Sequence, residues 1–157
     1  MYNHEPEGYD CPFCRIARGR DDAGRTAVHP DVVYSNAHVT AFIAANWFRN
    51  NSGHVLIVPN RHVENLYDLP DELSMKVHAL EREVALAFKQ VYQCDGTSSR
   101  QHNEPAGFQH VWHYHLHVFP RYPGDDLYRS EFRGTSAQER LPYAEKLRSY
   151  FEGGALA

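Results

Sequence analysis

Polar and apolar residues alternate strictly along His113-Tyr114-His115-Leu116-His117-Val118, with Phe119 and then Pro120-Arg121 immediately after. A period of two predicts a β-strand over residues 111–119, ended by Pro120. His113, His115 and His117 then share one face, and Tyr114, Leu116 and Val118 share the other. Upstream, Val32-Val33-Tyr34 and Val39 to Ile43 predict two short strands joined by a turn at Ser35-Asn36. His54 to Val58 predicts an apolar strand stopped by Pro59, with His54 at the mouth end of one face. Thr97 to His102 predicts a further strand, while Asn46 to Ser52 and Gly19 to Gly24 read as a loop and a turn. Leu73, Val77, Leu80, Val84, Phe88 and Val91 recur at steps of three and four, the stripe of a long helix. Asp68 and Asp71 around Pro70 mark its start and Gly96 its end. Ser136 to Glu139 reads as a capping box opening a last helix that carries Leu141, Ala144, Leu147 and Tyr150.

Together these elements predict one α+β domain: an antiparallel sheet of about five strands with helices at one face and at its ends. Residues 1–10 read as a loosely attached arm, 11–125 as the domain and 126–157 as a C-terminal extension whose helix packs on it. A chain of 157 residues, 42% hydrophobic and 23% charged, is ordinary for one globular domain. Sixteen basic against 20 acidic residues give a net charge of −4 with no basic cluster, against a partner that is a nucleic-acid polymer. No apolar run approaches the length of a membrane span, and the polar N-terminus is unlike a secretory signal. Three cysteines, an odd number, fit a reducing compartment, so the cytoplasm is expected.

Chemistry concentrates in the histidines, of which there are 11. On a regular strand the outer two of the row lie ~13 Å apart and neighbours ~6.6 Å. That is too far for all three to bind one metal at ~2.0–2.1 Å, and better shaped to lie along an extended substrate. Cys11-Pro12-Phe13-Cys14 admits three readings. A redox pair would need a preceding strand, two idle thiols would need nothing, and half of a structural zinc site would need two more ligands elsewhere. Cys94, at the helix end, reads as an idle thiol.

The row, with Ala106-Gly107 and Gln109 before it and Pro120-Arg121 after it, resembles the signature of the histidine triad (HIT) family of nucleotide hydrolases and transferases. Gly53-His54, the apolar run to Val58, and Pro59-Asn60-Arg61-His62 resemble that family's second hallmark, in the expected order. The resemblance covers roughly residues 11–125 and implies that His115 is the nucleophile. His117 would contact the phosphate and the leaving group and protonate it; His54 and Gln109 would contact phosphate oxygens or the leaving group. It implies Asn46 on the ribose hydroxyls and polar contacts from the loop residues Gln101 or Asn103. Phe13, Ile16 and Phe42 are candidates for an apolar slot for the base. A zinc-containing subset of the family implies Cys11, Cys14, His62 and His113 as ligands of a structural zinc. The family also implies a homodimer. Two departures from its pattern are Phe108, an extra residue between Gly107 and Gln109, and His110, where a small Ser or Thr is usual.

The activity implied is hydrolysis at the α-phosphate of a dinucleoside polyphosphate or a nucleoside phosphoramidate, through a nucleotidyl-histidine. A nucleotidyl transferase would share the first half-reaction. A non-catalytic nucleotide-binding module would have no need of His115 beside His117. A cupin-like metal oxygenase would want a Glu soon after a histidine pair, and none follows before Glu131.

Overall fold

The computed structural model describes residues 2–19 and 29–154; the turn expected from Gly19 to Gly24 lies, but for Gly19, outside them. Ten regular elements follow in order. They are α1 (Pro12–Ala17), β1 (Val32–Ser35), β2 (Val39–Ile43), β3 (Asn46–Phe48), β4 (Val55–Pro59), α2 (Asp71–Ala87), β5 (Gly96–Gln101), β6 (Leu116–Arg121), β7 (Phe132–Gly134) and α3 (Ala137–Glu152). Five strands form one antiparallel sheet in the order β1-β2-β4-β6-β5. The expected α+β domain is therefore the fold found.

Helix α2 packs against β2, β4 and β6. Its stripe of Val77, Leu80, Val84 and Ala87 is buried, each of the larger side chains contributing roughly 1.5–3 kcal/mol. Val55, Ile57, Leu116 and Val118 are cross-strand partners buried in the same core. The helix continues through a wider π-helical turn, Phe88–Tyr92, and stops there because Gln93 takes a left-handed conformation (φ 53°). Lys89 donates to the carbonyls of Cys94 and Asp95 beyond that stop. Gly96 was expected to end the helix; it opens β5 instead.

Three further elements differ from the sequence expectation, each because of a partner distant in the chain. Asn46–Phe48, expected as loop, is a strand because Phe132–Gly134 pairs with it. Strand β6 begins only at Leu116, since Tyr114 N–H donates to the carbonyl of Val63 (2.6 Å) and draws residues 113–115 out of the sheet. It also runs through Pro120, which pairs with Thr97. Pro120 turns its carbonyl the other way, where Asn51 Nδ2 donates to it (2.8 Å). No strand on that side asks for the N–H that proline lacks.

The N-terminal arm is tied down, unlike the loose arm its polarity suggests. The Glu64 carboxylate accepts from the backbone N–H of His4 (2.6 Å) and Glu5 (3.1 Å), and Asn65 Nδ2 donates to Asn3 Oδ1 (2.8 Å). At the other end, α3 has the expected capping box of Ser136 and Glu139. Arg140 Nε donates to the buried Asp31 carboxylate (2.9 Å) and Arg148 to the carbonyls of Pro30 and Val32, fastening α3 to β1. Beyond β6, Arg121 grips Asp125 through two hydrogen bonds (2.7 and 2.8 Å) and holds that carboxyl well below the usual range. Among the described residues no helix is long and apolar enough to cross a membrane.

Candidate functional site

The sheet face opposite α2 carries one continuous cross-strand row. The register pairs Phe42 with Leu56, Leu56 with His117, and His117 with Arg100, across β2, β4, β6 and β5. Paired residues point to the same face, so the row runs from two apolar side chains to two polar ones. All four line a cavity of about 800 Å³, which His115 and His54 also line.

His115 is buried at this cavity, and its position follows from the break in the strand. With residues 113–115 outside the ladder, His115 Nδ1–H donates to the backbone carbonyl of His113 (2.7 Å). That bond fixes the tautomer and leaves Nε2 with its lone pair. Burial also pushes the imidazole down to about 4, so the ring is neutral near pH 7. Its ring lies 5.1 Å, centre to centre, from that of His117. His117 Nδ1 lies 3.4 Å from His54 Nε2, and burial drives both rings down, His54 to about 3. Phe119 packs against both, 4.4 Å from His54 and 5.8 Å from His117.

Phe13, Ile16 and Phe42 line the apolar end of the cavity and Asn46 stands exposed at its rim. Gln109, Gln101 and Asn103 are not among the lining residues. Gln109 is consumed by bonds from Glu104 N–H (2.9 Å) and to the carbonyls of Glu64 (2.6 Å) and Val111 (3.1 Å). Gln101 and Asn103 bond each other, and Asn103 Oδ1 accepts from Leu66 N–H. The three brace a loop in which Glu104 and Phe108 have positive φ (61° and 66°).

In their place the cavity is lined by Arg100, His102, Phe108 and His110, with Asp31, Arg140 and Phe132 from the flanking elements. His102 and His110 were left without a role by the sequence reading. Arg100 and His102 share the parity of Ser98 along the expected strand, so period-two alternation could have found them.

The metal-ligating candidates converge beside the cavity. Cys11 caps α1 and its Sγ accepts from Cys14 N–H, which sets both thiols on one side of that turn. Nδ1 of His113 lies 3.2 Å from Cys11 Sγ and 3.5 Å from Cys14 Sγ, and Nδ1 of His62 lies 3.2 Å from Cys14 Sγ. All four ligand atoms lie within 4.8 Å of one another. A tetrahedron with zinc–ligand bonds of 2.0–2.3 Å has edges of roughly 3.6 Å, so the donor set fits. Each histidine uses its other nitrogen on a protein acceptor, His113 Nε2–H on the carbonyl of Pro59 (2.9 Å) and His62 Nε2–H on Glu5 (2.7 Å). Both Nδ1 lone pairs are thereby aimed at the thiols, the outer-shell pattern of metal-bound histidine. Burial, and then Cys11, push the Cys14 thiol up to about 12.

The HIT domain family model matches residues 25–124. "Protein hit" of Bacillus subtilis is 31% identical over 133 residues, covering 85% of each chain. A Zn-bound histidine triad family protein from Mycobacterium smegmatis superposes with a TM-score of 0.74 at 28% identity, over 92% of this chain and 94% of that one. A diadenosine triphosphate hydrolase from Plasmodium falciparum shares the fold, with a TM-score of 0.71 at 16% identity, over 99% and 91% of the two chains. Family model, relatives and superposition agree with the paired histidine strands that the sequence displays, and the chain belongs to the HIT domain family.

Proposed function

We propose that this protein is a nucleotide hydrolase in which His115 attacks an α-phosphorus to release a nucleoside monophosphate. The observation that carries the reading is the geometry of His115: its Nδ1–H is committed to the His113 carbonyl, which leaves Nε2 its lone pair, and its ring lines the cavity 5.1 Å from that of His117. In the first step Nε2 forms a bond to phosphorus as the bond to the leaving group breaks, and the leaving atom departs with its electron pair against an N–H of the neutral His117. In the second, water attacks the nucleotidyl-histidine, the P–N bond breaks, His115 is restored as the neutral ring, and the proton lost by water passes to His117 and from there to solvent. Phe13, Ile16 and Phe42 take the base, Asn46 the ribose, and His54 orients His117.

The Cys₂His₂ corner holds a structural zinc in this reading, supported by its donor geometry and by the Zn-bound relative. Bound there, the metal would neutralise two thiolates and lock the chain at residue 113; with four protein ligands it offers no place for a catalytic water. The protein works on a nucleotide as a homodimer, as the family resemblance implies; the odd cysteine count favours the cytoplasm, and the charge balance and apolar pattern favour neither a nucleic-acid polymer nor a membrane as partner.

The test is chromatographic product analysis, offering wild type and His115→Ala a diadenosine polyphosphate and an adenosine phosphoramidate. AMP release by wild type, absent in the variant while AMP still binds, is expected. Equal release by both proteins overturns the role of His115. Release by neither, with a nucleotidyl-protein adduct trapped on wild type, assigns a transferase instead.

A further inference from the structure

Arg100 is the one charged member of the cavity's cross-strand row, and the proposed reaction leaves it unused. Its guanidinium sits against three rings, 5.3 Å from the centre of Phe48, 5.2 Å from Phe119 and 5.3 Å from Tyr128. Its Nε is buried without a hydrogen-bond partner, and among the described residues no carboxylate is paired with it. A half-buried cation with aromatic faces around it and no anion is costly to hold empty, because the rings replace only part of its hydration. Arginine elsewhere in this protein is treated differently: Arg121 and Arg140 are both matched to carboxylates.

Position along the row gives the cation its meaning. Adjacent strands lie ~4.8 Å apart, so Arg100 stands one strand beyond His117 and ~14 Å from Phe42 at the apolar end. A nucleotide with its base at the Phe13–Phe42 end and its α-phosphate between His115 and His117 directs its remaining phosphates over β5, onto Arg100. Phe132, exposed and lining the cavity, packs on Phe48 (4.8 Å between ring centres) at that end, and the exposed Phe108 also lines the cavity. Exposed aromatic faces there suit a second base. A phosphoramidate with a small amine as leaving group would reach none of these groups.

We propose that Arg100, clamped by Phe48, Phe119 and Tyr128, is the leaving-group subsite for the phosphates beyond the scissile bond, and that it selects dinucleoside polyphosphates over phosphoramidates. The proposal rests on the nucleotide hydrolase reading for its chemistry, but it makes a binding claim that stands apart from turnover. Guanidinium bound to phosphate is a charge-assisted, often bidentate contact, and losing it costs roughly ten- to a hundred-fold in affinity.

Two measurements test it. The first is calorimetric binding of AMP and of adenosine 5′-tetraphosphate to wild type, Arg100→Gln and Arg100→Lys, with folding checked by circular dichroism. Wild type is expected to prefer the tetraphosphate by tenfold or more. Arg100→Gln should lose that preference, and Arg100→Lys, which keeps the charge without the fork, should recover part of it. An unchanged preference in Arg100→Gln overturns the proposal and leaves Arg100 a packing residue. The second is kcat/KM on diadenosine tetraphosphate and adenosine phosphoramidate. Arg100→Gln should lose at least tenfold more on the former, whereas equal losses on both substrates overturn the selection. Should wild type cleave neither substrate, the hydrolase reading fails and the binding comparison alone decides the subsite.

Discussion

His115 Nδ1 lies 2.7 Å from the carbonyl oxygen of His113, so the residue proposed as nucleophile is oriented by the backbone of a residue proposed as metal ligand. The two histidines are neighbours on one stretch of chain that has left the sheet, and each needs the other's geometry. His113 turns its ring to the thiols and its carbonyl to His115. Disturbing the metal corner should therefore reach the chemistry without touching the cavity wall.

Purified protein is expected to carry about one zinc per chain, measured by plasma emission spectroscopy. Cys11→Ser should lose that metal and lower Tm by roughly 10 °C, a loss of about 3 kcal/mol in a domain this size. At a temperature where the variant is still folded, kcat should fall further than KM rises, because His115 would be misaligned. Metal-free wild type with the same Tm would dismiss the zinc assignment.

Glu5 connects the same corner to the N-terminal arm, its carboxylate accepting from His62 Nε2–H at 2.7 Å. Outer-shell partners of this kind tune metal affinity by about 10- to 100-fold. Glu5→Gln should weaken zinc retention in a competitive chelator titration by an amount in that range. It should also speed amide exchange over residues 2–10, whose tether it shares with Glu64. Unchanged retention would reduce Glu5 to a surface contact.

How much of this was legible beforehand depended on the distance over which each feature is determined. Alternation and helical periodicity are local, and they located the five strands of the sheet, α2 and the capping box of α3 from their own residues. The break at residues 113–115 is imposed by Val63, the strand at Asn46 by Phe132–Gly134, and the continuation of β6 through Pro120 by β5; none of these leaves a local mark. In the site, His117 was found because a regular strand keeps its parity, whereas the roles given to His115 and His54, which stand just before β6 and β4, came from the resemblance. Gln109 was assigned to the substrate by resemblance, whereas its three hydrogen bonds commit it to bracing a loop. Arg100 and His102 had the parity of a cavity-facing row, but the partner strand that gives the row its direction is unknown until the sheet is assembled.

Burial of His54 predicts an acid-sensitive fold. Its folded value of about 3 lies below the unfolded 6.5, so below pH 6.5 the unfolded chain binds a proton that the folded one refuses. Stability from this group is complete above pH 6.5 and is lost as pH falls toward 3, at up to about 1.4 kcal/mol per pH unit. Denaturant melts of metal-loaded wild type and His54→Gln between pH 7.5 and 5.5 would test this. The variant should start less stable and fall off less steeply, the difference in slope reporting His54 together with its effect on His117. Parallel slopes would mean that His54 already carries its proton in the fold.

Gly53 gives a prediction in which two similar glycines must behave differently. It immediately precedes His54 and has a positive φ of 76°. A Cβ there would run into the Tyr143 ring of α3, 2.9 Å from Cγ, and would lie 2.9 Å from Tyr92 Oη. Gly124 has nearly the same φ, 73°, with nothing within 4 Å of its virtual Cβ. Gly124→Ala should therefore cost only backbone strain, about 1–2 kcal/mol, whereas Gly53→Ala adds overpacking of about 1–3 kcal/mol and should lower Tm by roughly 10 °C. Tyr143 can relieve the clash only by shifting α3, since its ring is also packed on Trp47 (5.0 Å) and Tyr92 (5.5 Å). The displaced backbone carries His54 with it, so Gly53→Ala should also raise KM for nucleotide, while Gly124→Ala leaves KM alone. Equal Tm losses in the two variants would mean that α3 yields freely, and that its packing against the turn before β4 does not hold His54 in place.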